Sequence, residues 1–140
     1  MNPNQPHLTT DELARLQAAI SPNPSTPEAI REALAVRLMA VEGMRSGDVA
    51  ALTWDAFRPE DEEEPAAVEF RGKAARETVP LSAGTLQLVE ALRAQGGGPL
   101  FEGGRGRVLD WLYEHTERAG LPDVSGHEVR AAVRRADRAR

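Results

Sequence analysis

The 140-residue chain contains no cysteine, which excludes a disulfide framework, a thiol nucleophile and any zinc site built on thiolates. Histidine is nearly as scarce. His7, His115 and His127 are too few and too scattered for a histidine metal cluster, so neither a metal nor another cofactor is expected. No apolar run approaches the roughly 18 residues of a membrane span. The opening Met-Asn-Pro-Asn-Gln-Pro has neither the basic nor the apolar region of a signal peptide, so the expected compartment is the cytoplasm. Tyrosine occurs once, as Tyr113, and lysine once, as Lys73, among 17 basic residues. What remains is an ordinary globular composition, 41% apolar and 28% charged, long enough for one domain over residues 1–140 with its own core.

The net charge of −5 argues mildly against a nucleic-acid partner, but it averages two unlike halves. Residues 1–70 carry 5 basic and 13 acidic side chains, whereas residues 71–140 carry 12 basic and 9 acidic. The last eleven residues hold five arginines against one aspartate.

Helix signals dominate the chain. Thr9 and Glu12 fit a capping box ahead of Leu13, Leu16 and Ile20. Thr26-Pro27-Glu28 starts a second helix with Ile30, Leu34, Leu38 and Val41 on its buried face, and Gly43 suits its stop. A short helix is expected over about Ser46 to Leu52, with Asp48 in its first turn. Pro59 and Pro65 bracket a solvated acidic loop, Glu60 to Glu64. The period then changes to two, and Val68 and Phe70 lead through a turn at Gly72 to Thr78-Val79-Pro80-Leu81, a β-hairpin. Ser82 caps a helix with Leu86, Val89 and Leu92. Another carries Val108, Leu109, Leu112 and Thr116, and Tyr113 on it reads as a packing residue. Ser125 and Glu128 form a second capping box before the last helix. The expected architecture is mostly α, in the α+β class: a multihelical domain with a small antiparallel hairpin or three-stranded sheet inserted after the third helix.

Three segments carry chemistry. They are Gly43-Met44-Arg45-Ser46-Gly47-Asp48-Val49-Ala50-Ala51-Leu52-Thr53-Trp54-Asp55, the turn from Arg71-Gly72-Lys73 to Arg76 and Val79-Pro80-Leu81, and His127-Glu128-Val129-Arg130. Together they resemble the catalytic domain of the tyrosine recombinases, the phage-integrase family. Its first motif reads G-L-R-x-x-E-L-x-x-L-x-W-x-D, its hairpin G-K-x-x-K-x-R-x-V-P-L, and its helix motif H-x-x-R. Met44, Asp48 and Val49 are mild departures, and the acid after Trp54 comes one position early. The resemblance covers residues 8 to 138, with the motifs in the family's order.

The resemblance implies a site for a DNA phosphodiester and a role in DNA integration or recombination. Arg45 and Arg130 match the pair of guanidiniums whose planar forks neutralise the phosphate oxygens in the transition state. Lys73 matches the hairpin lysine that protonates the leaving 5′-oxygen, which an arginine could not do. His127, three residues before Arg130 on one helical face, assists proton transfer. Arg71, Arg76 and Arg134 are the further candidate DNA contacts. The blander alternatives are a salt bridge from Arg45 to Asp48 or Glu42, a solvated turn for Lys73, a solvent-facing cap for His127 and a merely basic tail for Arg130.

The family's nucleophilic tyrosine follows the H-x-x-R helix, whereas Tyr113 precedes His127 and the sequence given stops at Arg140. Ala131 also replaces the histidine that commonly follows the second arginine, and the family's N-terminal core-binding domain has no counterpart here. The expectation is a catalytic domain that keeps the phosphate pocket and binds double-stranded DNA weakly without cleaving it alone. Either the sequence is a fragment of a longer integrase or it encodes a shortened relative, and a tyrosine from another recombinase subunit is an arrangement some members use. The alternative is a degenerate integrase-like module that binds protein or DNA without chemistry, which the acidic first half favours.

Overall fold

The computed structural model describes residues 8–96, 98–121 and 123–138, so His7 lies outside them. The elements run α1 (Thr10–Ala18), α2 (Pro27–Ala40), α3 (Ser46–Ala50), β1 (Phe57–Arg58), β2 (Ala67–Arg71), β3 (Arg76–Pro80), α4 (Ala83–Ala94), α5 (Gly104–Arg118) and α6 (Gly126–Arg138). The fold is α+β, with a three-stranded antiparallel sheet after the third helix.

Side chains that satisfy free backbone N–H groups set four of the helix starts. At α1, Thr9 Oγ1 accepts from the Glu12 amide at 3.1 Å while Glu12 Oε1 accepts from the Thr9 amide at 2.9 Å. Thr26 accepts from Ala29 at the head of α2, where Pro27 supplies the first turn. Ser82 accepts from Thr85 at α4. At α6 the Ser125 hydroxyl accepts from the Glu128 amide at 3.2 Å.

The strands lie in the order β1-β2-β3. Phe57 faces Val68, and Val68 faces Val79, so one apolar row crosses the sheet towards the helices. The Gly72 amide donates to the Ala75 carbonyl at 2.9 Å and closes the turn between β2 and β3.

Helix α2 is the axis of the core. The expected face of Ile30, Leu34 and Leu38 is buried, Val41 only partly, but Ala33, Ala35, Val36, Met39 and Ala40 are buried as well. Its charged Glu28, Arg31, Glu32 and Arg37 stay exposed or half-buried, but so wide an apolar face places the helix inside the domain. Alanines at three of these positions let neighbours approach closely, and α1, α3, α4, α5 and α6 all pack on it. Among the described residues no helix is long and apolar enough to cross a membrane.

Two buried polar groups sit beside this core. Glu42 accepts from the Ser82 amide at 2.9 Å and from Thr85 Oγ1 at 2.8 Å. Arg37 Nε donates to the same Thr85 hydroxyl at 2.9 Å, which ties the end of α2 to the start of α4. Burial pushes the Glu42 carboxyl above its usual range, against the pull of those donors. His115 on α5 is 2% exposed, and its Nδ1 lies 2.9 Å from the Trp111 carbonyl oxygen, to which it donates.

Burial holds the His115 pKa below its ordinary value. Its neutral form is therefore favoured by folding. The stabilisation is complete above the unfolded value and is lost as pH falls through the lower folded one. Glu42 works in the opposite direction, since its raised pKa stabilises the fold as pH falls. The effects separate in a comparison of denaturant midpoints for the wild type and His115→Gln. Between about pH 7.5 and about pH 5 the wild type should lose more stability than the variant. Parallel pH profiles would show that His115 is not protonated on unfolding.

Candidate functional site

The site begins where α2 ends. Gly43 takes a left-handed φ of 77°, a conformation that costs other residues about 1–2 kcal/mol, and a Cβ there would lie 3.0 Å from Val133 on α6. The Met44 amide then donates to the Leu38 carbonyl at 2.9 Å. This reversal delivers Arg45 to the N-terminal end of α3, in an extended conformation with an exposed side chain. On the other side α6 starts beside α5, where a Cβ at Gly126 would lie in ordinary van der Waals contact with Leu109, at 3.5 Å. That contact and the Ser125–Glu128 box fix the first turn of α6, which carries His127 and Arg130.

Arg45, His127 and Arg130 line one cavity of about 280 Å³ between α3, α5 and α6. Ser46 and Asp48 join them from α3, and Arg105, Leu109 and Tyr113 from α5. Met39 and Met44 also line the cavity. Arg105 Nε donates to Ser46 Oγ at 3.3 Å and links the two walls.

The electrostatics are those of cations held near one another. Partial burial lowers the Arg130 pKa from its usual value, and Arg134 and Arg45 push it further down, while Glu77 and Asp48 act against them. Burial raises the Asp48 pKa, with Arg45 opposing. Among the described residues neither Arg45 nor Arg130 forms an ion pair with a carboxylate. The salt bridge from Arg45 to Asp48 or Glu42 is therefore absent, and Glu42 is engaged by Ser82 and Thr85 instead. Arg130 Nε is buried without a hydrogen-bond partner. Crowded, unpaired guanidiniums are stabilised by an anion between them. Among the described residues no three His, Asp or Glu side chains converge as metal ligands would.

The hairpin contributes differently. Lys73 is exposed on the turn between β2 and β3 and is not among the residues lining the cavity. Glu77 reaches back over Gly72, where any Cβ would collide with its carboxylate, and lines a cleft of about 30 Å³ with Arg45, Arg130 and Arg134. Arg71 and Arg76 pair across the strands and line a separate recess with Asp48. Arg76 lies 3.8 Å from Glu69. The structure thus brings Arg45, His127 and Arg130 to one cavity, puts Arg134 beside Arg45 and Arg130 in the adjoining cleft, and leaves Lys73, Arg71 and Arg76 on the neighbouring hairpin.

Tyr113 requires a correction. It is not a packing residue: it is 42% exposed, lines the cavity, and is the single exposed large hydrophobic among the described residues. Arg105 was also missed, although α5 carries no acid in its first turn, where the helix dipole favours one, and has arginines instead. Trp54 of the first motif is structural: its Nε1 donates to the Gly98 carbonyl at 2.7 Å, under Arg93 at 5.2 Å from the ring.

The architecture matches a fold found in solved site-specific recombinases. The chain superposes on the XerH site-specific recombinase bound to difH substrate, in a pre-cleavage complex, with a TM-score of 0.70 and 21% identity over 91% of this chain and 41% of that one. It superposes equally on XerH bound to palindromic difH substrate, in a post-cleavage complex, with a TM-score of 0.70 and 18% identity over 96% of this chain and 43% of that one. XerA recombinase gives a TM-score of 0.67 and 19% identity, covering 95% of this chain and 50% of that one. The chain therefore spans half or less of these proteins' lengths, and the likeness establishes the fold. No family model and no curated protein matches the sequence.

Proposed function

We propose that residues 1–140 form one integrase-like catalytic domain of a cytoplasmic DNA recombination or integration protein, and that the cavity grips a backbone phosphate of double-stranded DNA. What carries this reading is the convergence on one cavity of Arg45 and Arg130, 85 positions apart in the chain, with His127 beside them. Unpaired guanidiniums next to a helix N-terminus suit a phosphodiester. Arg45 and Arg130 hold its non-bridging oxygens and His127 donates to it. Lys73 supplies the leaving-group proton once DNA lies across the hairpin. Arg71, Arg76 and Arg134 contact flanking phosphates.

The sequence's only tyrosine, Tyr113, lies ahead of His127, and Ser125 is tied into its cap. No hydroxyl of these 140 residues then stands at the family's nucleophile position. These 140 residues bind DNA without cutting it by themselves, and any strand transfer draws a tyrosine from outside them, from residues beyond Arg140 or from another recombinase subunit. Incubated with supercoiled plasmid, the purified chain should retard it reversibly, with no nicked circle and no covalent adduct in denaturing gels. An adduct lost in Tyr113→Phe would overturn this account. A second reading, a non-catalytic module that binds protein or DNA, draws on the exposed acidic loop from Glu60 to Glu64. DNA retardation indifferent to Arg45→Ala would favour it.

A further inference from the structure

We propose that the cavity takes, beside the phosphate, one unpaired nucleobase stacked on Tyr113, so that the preferred ligand is a DNA strand with an unstacked nucleotide. The proposal rests on the phosphate reading above.

A site for a bare phosphate needs only donors. This cavity, at about 280 Å³, is close to the lower bound of roughly 300 Å³ for small-ligand pockets, and a large part of its wall is apolar. Arg105, Leu109 and Tyr113 follow one another at four-residue intervals along α5 and face into it, which grades that wall from cationic through aliphatic to aromatic. Met39 and Met44 add polarizable side chains that adapt to a flat ring. Arg45 and Arg130 supply the charge from the N-terminal end of α3 and from α6, with the His127 ring beside them. Tyr113 is thus an exposed aromatic ring in the same cavity as the anion-binding groups. A nucleotide offers the matching pair, an anion joined to a planar ring. Stacking on an aromatic side chain tightens binding about tenfold or more per base, whatever the base. In intact duplex the base stays paired and stacked, and freeing it works against binding.

The test measures fluorescence anisotropy of the full chain at low salt with three ligands of about 12 nucleotides or base pairs. These are oligothymidylate, an abasic deoxyribose-phosphate strand and a duplex. Oligothymidylate should bind about tenfold tighter than the abasic strand and also tighter than the duplex. Tyr113→Ala should reduce it to the abasic level, Tyr113→Phe should keep the preference because the ring remains, and Arg45→Ala should weaken both single strands alike. Equal binding of the thymidylate and abasic strands by the wild type, or a preference that survives Tyr113→Ala, overturns the stacking site. If Arg45→Ala still weakens both strands in that case, the phosphate reading stands. Arg45→Ala without effect on either strand removes the phosphate reading itself.

Discussion

Replacing Arg45 or Arg130 with alanine should weaken DNA binding about ten- to a hundredfold. A charge-assisted contact between a guanidinium and one phosphate that nets about 1.5–3 kcal/mol corresponds to that range. Neither arginine is committed to a carboxylate, so no internal pair must be broken before the phosphate is bound. The wild-type affinity should itself be modest and should fall steeply with salt, as phosphate contacts release condensed counterions. Losing either arginine should flatten the log K against log salt slope by about one. Arg15 on α1, exposed and within 4.0 Å of Glu12, provides the control. A titration in which Arg15→Ala costs as much as Arg45→Ala would mean that binding is diffuse attraction rather than a site.

Leu34→Ala should cost about 2–5 kcal/mol of folding stability, from lost transfer energy and the cavity left behind. Leu34 is fully buried on α2, the helix on which five others pack, so no flexible element can collapse into the gap. Domains of this kind carry only about 5–15 kcal/mol in total, so the variant should sit near its unfolding threshold. Leu86→Ala on α4 removes the same atoms from a half-buried position and should cost much less. Urea midpoints measure both. A loss below about 1 kcal/mol for Leu34→Ala would deny α2 its place as the axis of the core.

Much of this fold is written in short-range chemistry. The capping residues Thr9, Thr26, Ser82 and Ser125 mark helix starts because a side-chain oxygen and a free amide three residues on are local facts. β1 is only Phe57–Arg58, too short to show a period of two, and it becomes a strand only because Val68 lies opposite. The site was legible to a similar degree. Arg45, His127 and Arg130 were found through motifs that preserve residue type at fixed spacing. Tyr113 was misassigned because α5 is wedged between the core and the cavity. Leu112 on its core side and Leu109 on its cavity side look alike in sequence, so periodicity cannot tell a buried face from a cavity wall. Lys73 is expected on a hairpin at the pocket's rim, and how far that turn leans over the cavity depends on sheet twist and on Glu77 folded across Gly72, neither of which spacing encodes.

The sheet also has a polarity of its own. β2 leaves the loop holding Glu60, Glu62 and Glu63 and runs to the turn holding Lys73, with Arg71 and Arg76 at that end. Its five residues, at about 3.3 Å per step, hold the two charge clusters about 13 Å or more apart. In the field of a polyanion such an element behaves as a compass needle. A molecule arriving loop-first experiences a torque that turns it before any side chain touches the ligand, within a Debye length of about 8–10 Å. Under the proposed function the acidic loop would make one approach productive and the reverse one repulsive. How fast the domain finds a charged strand and how long it stays there would then be set by opposite ends of the sheet.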